Sequence, residues 1–323
     1  MKTNILIIIS LFIIIASGCN KITPEPVIRQ TKKATVNINI SNNAYCTKGT
    51  DISQEKTISS LQVFVFRIGG SLDISGKSET SSINLSCTTG DKTIYALVNA
   101  PDLNVSTEAE FLSSYSSLSE NDPEKSFIMI GSTNSSITAN TTLEIDVKRI
   151  SSRVVIKKIE TSFTSAVYKT TPFTIKKIYL INVAADYQYS VPAPPTKWLN
   201  KMKNDNEAPS LTSETINQKI ENGNSYTVPH YFYAYPNPTL EDNSDPKWTA
   251  RHTRLVIEAT LGDVTYYYPV TLPEMECNKS YEITNLTITR PGSANPDKPV
   301  IFYDNDFSIK ITDWAKQDIS DTI

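Results

Sequence analysis

Apolar and polar residues alternate with period two in a series of short stretches along this chain. Val36, Ile38 and Ile40 alternate with Asn37 and Asn39, and Leu61, Val63 and Val65 alternate with Gln62, Phe64 and Phe66. That period puts successive side chains on opposite faces, which predicts strands with one face buried. Further strand-like stretches fall at residues 93–99, 143–147, 154–159, 173–183, 254–260, 265–271, 281–289 and 307–313, where β-branched and aromatic residues dominate. Many short strands between polar turns predict an all-β fold of packed sandwiches. One short helix is expected. Thr107 and Glu110 have capping-box spacing, and Phe111, Leu112, Tyr115 and Leu118 would share its inner face. Residues 184–253 are punctuated by Pro192, Pro194, Pro195, Pro236, Pro238 and Pro246 and read as long surface excursions. The joint between two strand-rich halves falls near residues 149–152.

The first nineteen residues follow a different pattern. Lys2 precedes an apolar run from Ile5 to Ala16 that only Ser10 interrupts. About twelve residues are too few for a membrane-spanning helix, which needs roughly 20. The run fits the h-region of a signal peptide. Ala16-Ser17-Gly18-Cys19 resembles a bacterial lipobox, with Ala16 where Leu is usual and Cys19 as the lipidated residue. The expected division is a signal peptide over 1–18 and a lipidated tether over 19–32, which carries Pro24 and Pro26. The alternative is a plain secretory signal. A lipid on Cys19 would hold the chain to a membrane without embedding it.

Composition narrows the function. The 323 residues carry 31 Lys+Arg against 34 Asp+Glu, a net charge of −3, so nothing marks a nucleic-acid surface. The length suits two domains, 33–150 and 151–323. Beyond Cys19 there are three cysteines, an odd number. Cys46 and Cys87 each follow a strand signal and could pair, or all three could be unpaired. Gly70 to Ser78 looks like a phosphate loop but places five residues between Gly70 and Gly76 where the motif needs four, so it reads as a hairpin turn. The two histidines, His230 and His252, stand in no nucleophile or zinc motif and read as ordinary packed or surface residues. Asp304, Asp306 and Asp313 match no calcium-loop spacing. Tyr266-Tyr267-Tyr268 is explained by strand packing. Aromatic residues around Trp198, Tyr231 to Tyr235 and Trp248 could stack on sugars, which keeps a glycan-binding surface lipoprotein as an alternative. No metal site, cofactor or catalytic residue is expected.

Several segments together resemble the fimbrillins of Bacteroidetes, the major fimbrial subunits or type V pilins. They are the signal ending at Cys19, the stretch Lys92-Thr93-Ile94-Tyr95-Ala96-Leu97-Val98-Asn99-Ala100, and Lys148-Arg149-Ile150-Ser151-Ser152-Arg153-Val154-Val155. The C-terminal block carries most weight: Thr265 to Val270, Asn278 to Ile283, and Leu286 to Pro299, then a strand ending in Trp314.

The resemblance implies two transthyretin-like β-sandwich domains in tandem. It implies an outer-membrane lipoprotein precursor that matures into a cell-surface fimbrium supporting adhesion and biofilm formation. Its partners would be other copies of itself, other fimbrial subunits and a processing protease. A protease cuts just after the first strand in such proteins. That strand leaves, and the C-terminal strand of another subunit fills the groove. Here Val36, Ile38 and Ile40 would form the displaced strand. Lys48 stands where the family usually has Arg as the cleavage residue. Cutting at Arg29 instead would release the lipid and keep the groove filled. Phe307, Ile309, Ile311, Trp314, Ile319 and Ile323 are the candidate donor residues, and which part of residues 305–323 acts is open. The alternative within the family is an unprocessed anchor or accessory subunit.

Overall fold

The computed structural model describes residues 32–41, 53–190, 193–241, 246–298, 300 and 307–314. Cys19, Arg29, Cys46, Lys48, Asp304, Asp306, Ile319 and Ile323 lie outside the described residues. The first half forms β1 (Lys33–Ser41), β2 (Leu61–Arg67), β3 (Leu72–Ser78), β4 (Ser82–Thr88), β5 (Gly90–Val98), helix α1 (Glu108–Ser113), β6 (Met129–Ile137) and β7 (Thr141–Asp146). The second half forms β8 (Ser152–Ile156), β9 (Ile159–Thr161), β10 (Phe173–Ile181), β11 (Ser213–Ile220), β12 (His230–Ala234), β13 (Arg254–Leu261), β14 (Val264–Thr271), β15 (Lys279–Ile288) and β16 (Phe307–Asp313). The expected strand at 154–159 is thus interrupted, and the proline-punctuated region contains β11 and the buried β12 as well as loops.

In the first half, the order β4-β1-β7 makes one sheet, and β3-β2-β5-β6 makes another that Lys148–Arg149 extends. A core of Val36, Ile38, Leu61, Val63, Ile94 and Ile145 fills the space between them. The alternation in β2 predicted one buried face, yet all of Leu61 to Phe66 is buried. The reason is layering. Leu61, Val63 and Val65 face the core shared with β1, while Phe64 and Phe66 join Phe111 in a second core that continues into the C-terminal half. Gln62 is buried with its amide satisfied: Nε2 donates to the carbonyls of Ala100 and Pro101 at 3.1 and 2.9 Å, and Oε1 accepts from Leu103 N–H at 2.9 Å. A Cβ on Gly131 would stand 2.3 Å from the Asp146 carbonyl oxygen, so glycine is what lets β6 approach β7 there.

The helix begins as its capping box dictates, with Thr107 accepting from Glu110 N–H and the Glu110 side chain reaching back. It is shorter than the apolar spacing suggested. The hydroxyls of Ser113 and Ser114 donate to the Glu110 carbonyl at 3.0 and 2.8 Å, and the chain turns out after Ser113. Tyr115 to Ser117 then pairs with Asp186 to Gln188 as a short ladder. The segment resembling a phosphate loop is a hairpin, with Gly69 and Gly70 at φ +92° and +80° before β3.

In the second half, β15 is flanked by β8 and β9, which run parallel to it in succession, and by β16, which runs antiparallel on its other edge. The order β11-β10-β13-β14 makes an antiparallel sheet across the core.

A buried ion pair ties β3 to β5. Asp73 on β3 meets Lys92 on β5 at 2.8 Å, with both side chains at most 3% exposed. Thr88 at the end of β4 donates to Asp73 through N–H and hydroxyl at 2.9 and 2.6 Å. Burial alone would raise the Asp73 pKa, but Lys92 and the two Thr88 donors outweigh it and hold the carboxyl below its ordinary value. A depressed folded pKa stabilises above the unfolded value and loses that stabilisation as pH falls through the folded one. The stability gap between the wild type and Asp73→Asn in urea is therefore expected to be full at neutral pH and to shrink below about pH 4. A gap that does not change with pH would contradict this.

Candidate functional site

The first strand sits in a slot between two others. β1 pairs antiparallel with β4 from Lys33↔Thr88 to Asn39↔Ser82, and parallel with β7 from Val36↔Thr141 to Ser41↔Asp146. It is bonded on both edges although it opens the described fold. Its inward side chains are sealed: Val36 and Ile38 are wholly inaccessible, and Ala34 and Ile40 are at most 7% exposed. Its outward face carries a polar ladder. Asn37 Nδ2 donates to Asn84 Oδ1 at 2.8 Å, Asn39 Nδ2 donates to Glu144 Oε1 at 2.7 Å, and the Ser41 hydroxyl bonds Asp146. Removing β1 would leave a gap about 10 Å across, two strand spacings, with apolar walls and unpaired amides on both sides.

The last described strand sits differently. β16 is bonded to β15 alone, and no strand among the described residues pairs with its other edge. Ile309 packs against the core, whereas Ile311 is 51% exposed. Trp314 ends this strand and is 5% exposed. Its indole Nε1 donates to Glu55 Oε2 at 2.9 Å. Glu55, itself buried, also accepts from Arg153 Nη1 at 3.0 Å and from Tyr233 O–H at 2.8 Å. The Arg149 guanidinium lies 4.8 Å from the indole centroid and donates through Nε to the Glu55 carbonyl at 2.7 Å. Tyr233 stacks on the indole, and Phe127 meets it edge-on at 5.5 Å. Burial first, and then the Glu55 charge, raises the Tyr233 pKa far above its ordinary value, which keeps the phenol a donor. This clasp joins a 3₁₀ turn at Ser53–Lys56, the joint between the halves, and the end of β16.

Sequence reasoning placed Val36, Ile38 and Ile40 on one strand and Phe307, Ile309 and Ile311 on another, and the structure does the same. It missed Glu55, Arg149 and Arg153 as members of one site. Cys87 is 1% exposed on β4, beside Ala34 of β1 in the ladder. Cys277 is half-buried beside Tyr187. The aromatic segment proposed for sugar stacking is mostly core, since Tyr233 and Tyr235 are at most 1% exposed. Trp198 and Trp248 meet edge-on at 5.6 Å, and Lys201 and Arg251 lie over Trp248 at 5.4 and 5.6 Å. His230 is buried, bonded to Glu214 at 2.6 Å and to Tyr226 at 2.9 Å. Tyr268 is buried in β14 with Tyr266 and Tyr267 half-buried beside it. Among the described residues, no group of three or more His, Cys, Asp or Glu is placed to hold a metal ion.

The family model of the major fimbrial subunit protein (FimA) matches residues 34–189, from the first inward side chain of β1 to a point beyond β10. Over these residues the chain belongs to the major fimbrial subunit family. A member of this family is a structural subunit of a cell-surface fimbrium, assembles with other fimbrial subunits and is not an enzyme. Solved fimbrial proteins share the fold. The fimbrilin of Porphyromonas gingivalis W83 superposes with a TM-score of 0.64 at 17% identity, covering 87% of this chain and 98% of that one. The tip fimbrial protein Mfa3 of Porphyromonas gingivalis, solved with a C-terminal truncation, gives 0.56 at 12% identity, covering 88% and 100%. A candidate cell adhesion protein of Bacteroides eggerthii gives 0.66 at 18% identity, covering 87% and 95%. No curated protein matches the sequence.

Proposed function

We propose that this fimbrial subunit is a polymerising pilin that assembles by strand exchange. It is exported as a lipoprotein on Cys19, is cut after Lys48, loses β1, and takes the C-terminal strand of a second copy into the vacated slot. Its halves act as two sandwiches joined near residues 149–152. The observation that carries this reading is the contrast between the two strands. β1 lies in a slot that binds a strand on both edges and seals its apolar face. β16 has the same alternation but is bonded on one edge and leaves Ile311 half-exposed. Moving a β16-like strand into an emptied slot would add a second ladder and bury its apolar side chains, worth roughly 1.5–3 kcal/mol each when burial is complete. Release of Trp314 from its clasp opposes the transfer, and β1 in its slot keeps unprocessed copies monomeric.

Cutting at Arg29 would free the chain from its lipid but leave β1 in place, so it does not start assembly. The lysine at position 48 supports one second reading, an unprocessed anchor at the base of the fibre, if the processing protease accepts only arginine. In purified form, the chain starting at Gly49 is expected to form detergent-resistant ladders, and the same chain lacking residues 307–323 is expected to remain monomeric. Ladders that persist after that deletion would remove the C-terminal segment from the account.

A further inference from the structure

On the solvent face of the slot, β1 sets neutral side chains against carboxylates of β7. Beside the second half of β1, β7 presents the exposed carboxylates of Glu144 and Asp146. Across the β1–β7 ladder Glu144 stands opposite Asn39 and Asp146 opposite Ser41. β16 has the apolar alternation of β1, but the residues between its apolar ones are Ser308, Lys310 and Thr312.

Four placements put Phe307, Ile309 and Ile311 on three successive inward sites. With the polarity of β1, they fall on sites 34, 36 and 38 or on sites 36, 38 and 40. The first puts Asp313 at site 40, where Ile40 is 7% exposed, and so buries a carboxylate among apolar groups. The second puts Lys310 at site 39 beside Glu144, Thr312 at site 41 beside Asp146, and the neutral Asn305 at site 34. With reversed polarity, Lys310 falls at site 35 or 37, where the paired residues are Ser86, Asn84 and Thr142 and none is acidic. The tail beyond Trp314 is a poorer fit. Ile319 and Ile323 would share the inward face with Asp321 between them.

Resting on the strand-exchange reading above, we infer that a second copy's β16 enters in the polarity of β1 with Phe307 at the place of Val36. Lys310 of the incoming copy then pairs with Glu144 and sets the register. Opposite charges across a ladder are favourable and like charges are unfavourable, so reversing one partner costs more than losing the pair.

The test uses full chains starting at Gly49 and follows the rate of ladder formation. Lys310→Glu and Glu144→Lys are each expected to ladder roughly fivefold more slowly, the effect of about 1 kcal/mol across an exposed pair. The double variant is expected to recover most of the wild-type rate. Within its own subunit Lys310 stands opposite Glu282, so Lys310→Glu weakens the resting place of β16 and would by itself hasten release. A slower ladder therefore cannot come from that contact. Single variants that ladder like the wild type, or a double variant no faster than the singles, would overturn the register. Absence of ladders in the wild type would instead overturn strand exchange itself.

Discussion

Replacing Trp314 by alanine is expected to destabilise the intact chain by about 3–5 kcal/mol, the range for deleting a large buried aromatic side chain. The indole fills the space between Phe127 and Tyr233, and two guanidiniums lie over its ring at 4.8 and 5.5 Å. Its loss also takes one donor from Glu55, a buried carboxylate that holds Arg153 and Tyr233. Trp314→Phe keeps the stacking and loses the N–H, and is expected to cost about 1–3 kcal/mol, the penalty of a buried acceptor short of one donor. Urea unfolding of both variants measures this. Hydrogen exchange at 307–313 should quicken in Trp314→Ala before other strands are affected, because β16 is held by one ladder and by this anchor. A loss below about 1 kcal/mol, the size of a surface substitution, would mean that the clasp does not fix the strand.

The second large effect concerns Cys87. It lies on β4 as the ladder partner of Ala34 on β1, and burial followed by the Asp73 charge raises the pKa of its thiol. A maleimide probe is expected to label it very slowly in the intact chain, where only local opening exposes it. In the chain starting at Gly49, Cys19 and Cys46 are absent, and Cys277→Ser removes the other thiol. Labelling of Cys87 in that trimmed monomer is expected to rise on the order of 100-fold, as an opening cost of about 3 kcal/mol disappears. In assembled ladders it should fall back, because the incoming strand covers it. Slow labelling in the trimmed monomer would mean that the slot collapses when β1 leaves, and fast labelling in ladders would mean that it stays empty.

Strong alternation made β1 and β16 legible in the sequence, and the bounds read for β16 match those of the strand. Periodicity shows that a side chain is buried without showing what covers it. It therefore could not show that β2 lies in a middle layer, with Phe64 and Phe66 facing a second core. β6 and β11 went unread because Ser, Thr, Asn and Gln supply much of their length. The Glu55 clasp was the least legible feature. Glu55 lies in a polar stretch, and its partners come from positions 153, 233 and 314, so no local spacing connects them. Trp314 read as the end of the last strand and as a candidate donor residue, not as a partner of Glu55. A tryptophan at a strand end was the signal present.

The N-terminal residue of the subunit recovered from cell-surface fimbriae tests the central claim most directly. Strand exchange predicts a start at Gly49 or a few residues from it, within residues 42–52, so that β1 is absent from the fibre. A start at lipid-modified Cys19, or anywhere before Lys33, in assembled fimbriae would mean that β1 still fills its slot, and would contradict the account.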